Sequence, residues 1–275
     1  MLKLLRANIS RLMMNKLLWV GALFMFAIGI IMPISAYIEE LGQDTYIFPE
    51  RLLYVFTAFV PFALAAFCSI FIGTEHHSGG FRRKLSIGSK RVWVYISNLV
   101  TCVFVGLIFC LSYAVSFLVI SLFLLDSFIL PLKAILLLTL CSVLNMIAFS
   151  AIFVLISVLI NKKSLAAVVC LVLTIVIILV GLQTNMKVNN AVYGYYELDP
   201  VTHELVFVEE AYSYSVTDRT RDIYEFFDDF LPGGQVVQLA DVNVKHPMNL
   251  CMSSAVIIVA MTALGLLLFA RKDIK

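Results

Sequence analysis

Six apolar runs of about 20 residues or more cross this chain, at roughly 17–38, 52–73, 94–125, 130–160, 165–184 and 249–270. A helix needs about 20 apolar residues to cross the hydrocarbon of a bilayer. Closed β-barrels are the other way to satisfy every backbone group in lipid. They would show ten-residue alternating segments instead of continuous runs. Composition agrees: 61% of residues are hydrophobic and 14% charged, against about 25% charged in an average soluble domain. One soluble core does not hide that much apolar surface. The 275 residues suit one membrane domain. The expected fold is an all-α polytopic membrane protein with six transmembrane helices.

Lys3, Arg6, Arg11 and Lys16 precede the first run and resemble the charged start of a signal peptide. The apolar stretch is longer than the usual 7–15 residues of such peptides, so it reads as a retained span. Within 1–16, Leu2, Leu5, Ile9, Leu12 and Met13 share one face at helical spacing. That pattern predicts an amphipathic N-terminal helix lying on the inner membrane surface. A plain continuation of the first span is the alternative.

Charge sets the orientation. Segments 1–16, 74–93, 161–164 and 271–275 hold fourteen Lys/Arg and two acids, Glu75 and Asp273. Segments 39–51, 126–130 and 185–248 hold five Lys/Arg and sixteen acids. The two groups alternate along the chain. Positive residues stay in the cytoplasm, so both termini are expected inside a cell (plasma) membrane. Residues 1–184 then form the membrane domain, 185–248 a small structured extracellular module between spans 5 and 6, and 249–275 the last span and cytoplasmic tail. Runs 94–125 and 130–160 exceed the bilayer and are expected to tilt or extend. Pro33 and Pro61 fall in or near the outer halves of the first two spans.

No catalytic constellation emerges. His76 and His77 are adjacent, so they do not share a helical face, and no HExxH occurs. No pair of acids lies inside the membrane, which argues against an ion-coupled carrier. No metal site is expected. The six cysteines, all in or beside apolar runs, read as small apolar core residues. Asn145, Ser142 and Ser150 on the fourth span either line a path or hold helices together. No GxxxxGK with Ser or Thr occurs, so ATP and Mg, if used, belong to another chain. Nucleic acid is not an expected partner.

The loop 73–93, GTEHHSGGFRRKLSIGSKRVW, is the most informative segment. Ser78-Gly79-Gly80 reads as a helix start and Gly88 as a stop. The helix between exposes Arg82, Arg83 and Lys84 and offers Phe81, Leu85 and Ile87 for docking. A helix this short is marginal alone and calls for a partner surface.

At this loop the chain resembles the type-2 ABC transporter permeases of Gram-positive bacteria. The resemblance rests on Gly73, Glu75, Gly79, Gly80, Phe81, Arg82, Lys84, Leu85, Gly88, Lys90, Arg91, Tyr95 and Ser97. It departs in the His76-His77 and Gly79-Gly80 pairs. A second match is IYEFFDDFLPGGQVVQL (223–239), and a third is the ending LFARKDIK (268–275). The family implies two permeases, identical or different, paired with two cytoplasmic ATPase subunits. It implies that Glu75, Gly79, Phe81, Arg82, Arg83, Lys84, Leu85 and Gly88 couple the permease to the ATPase. It also implies a short re-entrant extracellular segment that includes Phe230, Pro232, Gly234 and Gln235.

Within the acidic segment 185–248, residues 193–198 and 204–208 flank Asp199-Pro200-Val201-Thr202 and predict a β-hairpin. Asp222 to Phe230 predicts a helix broken by Pro232-Gly233-Gly234, and Gln235 to Leu239 a second short helix. Eleven acids here invite a basic peptide ligand, though outer loops are acidic for topological reasons too. The functional expectation is the permease subunit of an ATP-driven exporter of a peptide, lipid or hydrophobic drug, without enzymatic activity of its own. The alternatives are a membrane sensor or immunity protein that binds an antimicrobial peptide without transport, and a polytopic membrane enzyme, for which convergent residues are missing.

Overall fold

The computed structural model describes residues 2–43, 49–125, 128, 130–189, 193–198, 205–210 and 218–272. In chain order the elements are α1 (Leu2–Met13), α2 (Lys16–Gln43), α3 (Pro49–Tyr54), α4 (Phe56–His77), α5 (Gly80–Ser86), α6 (Arg91–Leu124) and α7 (Leu132–Leu159). They continue with α8 (Lys163–Asn189), β1 (Tyr193–Leu198), β2 (Leu205–Glu210), α9 (Asp218–Phe230), α10 (Pro232–Ala240) and α11 (Pro247–Arg271). Among the described residues, six helical stretches are long and apolar enough to cross a membrane: Lys16–Gly42, Pro49–His77, Arg91–Leu124, Leu132–Leu159, Lys163–Val188 and Pro247–Arg271. Each overlaps one apolar run of the sequence, with ends that differ from it by one to four residues.

Local chemistry explains the boundaries. The Asn15 side chain accepts the backbone N–H of Leu17 at 2.9 Å, capping the start of α2 and separating it from α1. Gly79 adopts φ +67°, a left-handed conformation that only glycine takes cheaply, and ends α4. Pro232 and Pro247 sit in the first turns of α10 and α11, where a missing N–H costs no helical bond. α9 ends at Phe230, at the break expected from sequence, and Pro232-Gly233-Gly234 itself starts α10, three residues before the expected Gln235. Pro33 and Pro61 lie within continuous helices α2 and α4.

α2 packs along α6, α11 along α7, and α4 lies between α7 and α8. The Pro49–His77 and Leu132–Leu159 spans are 61% and 67% buried, against 28%, 22% and 22% for the α2, α8 and α11 spans. α4 and α7 thus form the centre, and the other three turn apolar faces outward to a lipid-like environment. Buried Phe67, Phe71, Phe109, Tyr113 and Phe117 fill the α4–α6 seam. All six cysteines are unbridged. The sulfurs of Cys141 on α7 and Cys251 on α11 touch at 3.0 Å, a contact across helices that sequence spacing does not reveal.

Two ends follow from the contacts. Arg91 Nη1 donates to the carbonyls of Phe269, Ala270 and Lys272 at 3.3, 2.8 and 2.8 Å, joining the start of α6 to the end of α11. α1 and α5 lie at this basic end. At the opposite, acidic end, Arg51 pairs with Asp241 at 3.2 Å. There β1 and β2 pair antiparallel, with Tyr193 opposite Glu210 and Leu198 opposite Leu205. The intervening Asp199-Pro200-Val201-Thr202 and the tail 273–275 lie outside the described residues.

Candidate functional site

The loop singled out by sequence folds into α5, a two-turn helix fixed at the basic end. Gly79 reverses the chain after α4. Gly80 follows because a Cβ there would meet Cγ of Glu75 at 2.8 Å. Gly88, at φ +86°, closes the helix: its N–H bonds the Leu85 carbonyl at 2.9 Å and that of Ser89 bonds the Lys84 carbonyl at 3.2 Å. Both are left-handed glycine stops of the kind that end helices.

Glu75 anchors the arrangement. Its carboxylate is fully buried and forms an ion pair with Lys84 of α5. Arg11 of α1 approaches it at 3.9 Å. A buried carboxylate without such partners would carry a large desolvation cost. Lys84 also donates to Asn8 Oδ1 at 2.8 Å. Asn8, itself buried, donates to Asn98 Oδ1 at 2.9 Å and to Ser97 Oγ at 3.3 Å on α6. Arg11 donates to the Phe71 carbonyl at 3.0 Å and stacks 4.0 Å above the Phe71 ring. Four elements, α1, α4, α5 and α6, thus meet in one polar knot. Sequence reading singled out Glu75 and Lys84 but missed Asn8, whose polar side chain interrupts the apolar face of α1.

Phe81 is 1% exposed. Its ring packs against His76 at 4.4 Å and Phe269 at 5.6 Å between centroids. This corrects the expectation that Phe81 docks onto a partner: the ring fills its own chain's core, tying α5 to α4 and α11. Leu85 is half-buried against the same core. Arg82, Arg83 and Ile87 face outward, with Ile87 84% exposed. His76 Nε2 donates to the Val158 carbonyl at 3.1 Å. Lys272 donates to Val158, Leu159 and Asn161 at 2.7, 3.0 and 2.6 Å, closing the end of α7. Burial pushes the Lys272 ammonium below the ordinary lysine value.

Asn145, Ser142 and Ser150 are all buried. Asn145 Nδ2 donates to Gln235 Oε1 at 2.8 Å and to the Pro232 carbonyl at 3.1 Å. Ser254 of α11 donates to the same Gln235 oxygen at 2.6 Å. Ser142 and Ser150 bond back to the carbonyls of Leu138 and Met146 on their own helix. Asn145 thus ties α7 to α10, whereas the Ser142 and Ser150 hydroxyls are spent within α7.

The same bonds pull α10 into the bundle against α8, α7 and α4. A Cβ on Gly233 would run into the Ile177 carbonyl, and one on Gly181 into the Gly233 backbone. Pro232, Gly234 and Gln235 are buried and Phe230 half-buried. At the top of this insertion Asp228 is buried. It accepts from Thr184 at 3.2 Å, Asn185 at 3.2 Å and Gln238 at 2.8 Å. Burial raises its carboxyl above the usual range; the bonds from Asn185, Thr184 and Gln238 lower it and Asp229 raises it. Beside it, Asp222, Glu225, Asp229, Phe226, Phe230 and Met252 line a groove. Among the described residues, no three His, Cys, Asp or Glu side chains are grouped to hold a metal ion.

No protein-family model matches this chain. A search of curated proteins finds no relative.

Proposed function

We propose that this chain is the membrane-spanning permease subunit of an ATP-driven exporter of the type-2 ABC class. It pairs with a second permease, identical or different, and with two ATPase subunits that bind ATP and Mg on their own chains. Both termini lie in the cytoplasm, and the acidic end faces outward. The cargo class is a peptide, a lipid or a hydrophobic drug.

One observation carries the reading. α5 is a short basic helix whose inward side is locked by Glu75 and Phe81, while Arg82, Arg83 and Ile87 remain exposed. A surface helix of two turns is unstable alone. Here it is built as a rigid handle. A push on its exposed side passes through Lys84 into α1, α4 and α6, which share one knot of bonds, and through Phe81 into α4 and α11. The sequence resemblance at 73–97 supports the same role.

The test is purification of the tagged chain in mild detergent from its native host. Mass spectrometry then identifies retained proteins, and ATP hydrolysis is assayed. A P-loop ATPase retained in stoichiometric amount supports the proposal, and its absence contradicts it. A second reading, a sensor that sequesters a basic amphipathic peptide without transport, draws on the acidic groove between α9 and α11. It gains if peptide binds there and no ATPase associates.

A further inference from the structure

A groove opens at the basic end between the end of α4 and the first turns of α8. Its rim carries Lys162, Lys163, His77 and Ser164, and its floor is Leu165 and Val168. α8 starts close against α4 at this point. A Cβ on Gly73 would meet Lys163 Cβ and Cα at 2.6 and 2.8 Å. Among the described residues, neither Lys162 nor Lys163 reaches a carboxylate within ion-pair distance. The free N–H groups of the first turn of α8 add partial positive charge at the same place.

Below the rim the surface changes character. Leu165, Val168, Val172, Val176 and Leu179 are 52%, 57%, 53%, 48% and 55% exposed. They recur every three or four residues and so form one aliphatic stripe along α8. The stripe runs about 21 Å at 1.5 Å per residue, longer than the roughly 15 Å hydrocarbon depth of one leaflet. Cations at the head and an aliphatic track beneath match one class of molecule that always surrounds such a chain.

The geometry points to this groove as a binding site for a single anionic phospholipid, with its phosphate between Lys162 and Lys163 and an acyl chain along the α8 stripe. Basic pockets between spanning helices bind anionic headgroups, and each lysine near such a charge strengthens binding about fivefold. The inference rests on the six spans and stands apart from the transport reading.

Native mass spectrometry of the purified, delipidated full chain tests it. Dioleoyl phosphatidylglycerol or dioleoyl phosphatidylcholine is added back at matched concentrations. The expected result is one saturable phosphatidylglycerol adduct that phosphatidylcholine does not reproduce. Lys162→Gln/Lys163→Gln should hold it about thirtyfold more weakly, with an unchanged melting temperature and gel-filtration profile. Lys16→Gln/Lys90→Gln, which removes equal charge from the same end, should keep the adduct. Glycerophosphoglycerol, the headgroup without tails, should not displace it. Equal loss in the control variant, equal binding of both lipids, or displacement by the free headgroup would each overturn the site. So would Leu165→Cys crosslinking to a second copy while lipid binding is absent, since the stripe would then be a protein interface.

Discussion

Lys84 on α5 reaches back to the fully buried carboxylate of Glu75 on the last turn of α4. The two residues are separated by a glycine-bounded reversal, and their pairing turns a basic surface loop into a fixed part of the bundle. Lys84 also bonds Asn8, so α1 is held by the same ammonium.

Removing one partner of this pair should cost more than removing both. Lys84→Met strands a buried carboxylate and should destabilise the chain by about 3 kcal/mol, whereas Glu75→Gln/Lys84→Met should recover most of that loss. Thermal melting of the detergent-purified variants, followed by gel filtration, checks this. Equal losses in the single and double variants would show that the pair contributes little.

Phe81 and Ile87 should separate stability from docking. Phe81→Ala opens a cavity between His76 and Phe269 and should cost about 3–5 kcal/mol. Ile87→Ala, at an 84% exposed position, should leave melting unchanged and lower ATPase retention. A Phe81→Ala protein that melts like the wild type would contradict the inward packing.

Asn145→Leu should destabilise the seat of α10 by about 1–3 kcal/mol by removing the bonds to the Pro232 carbonyl and to Gln235 Oε1, which keeps only Ser254 as donor. Gly233→Ala should reduce insertion yield through collision with the Ile177 backbone. If Asn145 instead lines a path, Asn145→Leu would change which compounds are exported without lowering the melting temperature.

Asp228 should make the α9–α10 seat sensitive to pH. Folding raises its carboxyl above the ordinary value, chiefly by burial, so the folded state holds the proton more firmly. The stabilisation is full below the unfolded value of about 3.9 and is lost as pH rises through the raised folded value. Asp228→Asn cannot titrate. Its melting temperature relative to wild type should therefore climb as pH rises from about 4 through the raised folded value. A constant difference across that window would show no linkage at this residue.

The spans were legible in sequence because about 20 apolar residues in a row have few other folds open to them. Gly79 and Gly88 marked the ends of α5 because helices stop at left-handed glycines. Which side of α5 turns inward was not legible: seven residues give less than two full turns of pattern, and Phe81 and Ile87 look alike as apolar residues. The rest of the knot around Glu75 was hidden for another reason. Arg11, which approaches Glu75, and Asn8, which bonds Lys84, lie on α1, more than sixty residues upstream, and no local spacing announces a contact of that range. Asn145 read as a buried polar residue, but its acceptor on Gln235 comes from α10, ninety residues downstream.

The most direct test of the central claim uses the exposed side of α5. Arg82→Glu/Arg83→Glu/Ile87→Asp leaves Glu75, Lys84 and Phe81 in place. The wild-type and variant chains are purified side by side in mild detergent, and retained P-loop ATPase and ATP hydrolysis are measured. The proposal predicts that the wild type retains an ATPase with measurable hydrolysis, and that the variant inserts and melts normally but loses both. An ATPase equally retained by the variant, or none retained by the wild type, would contradict it.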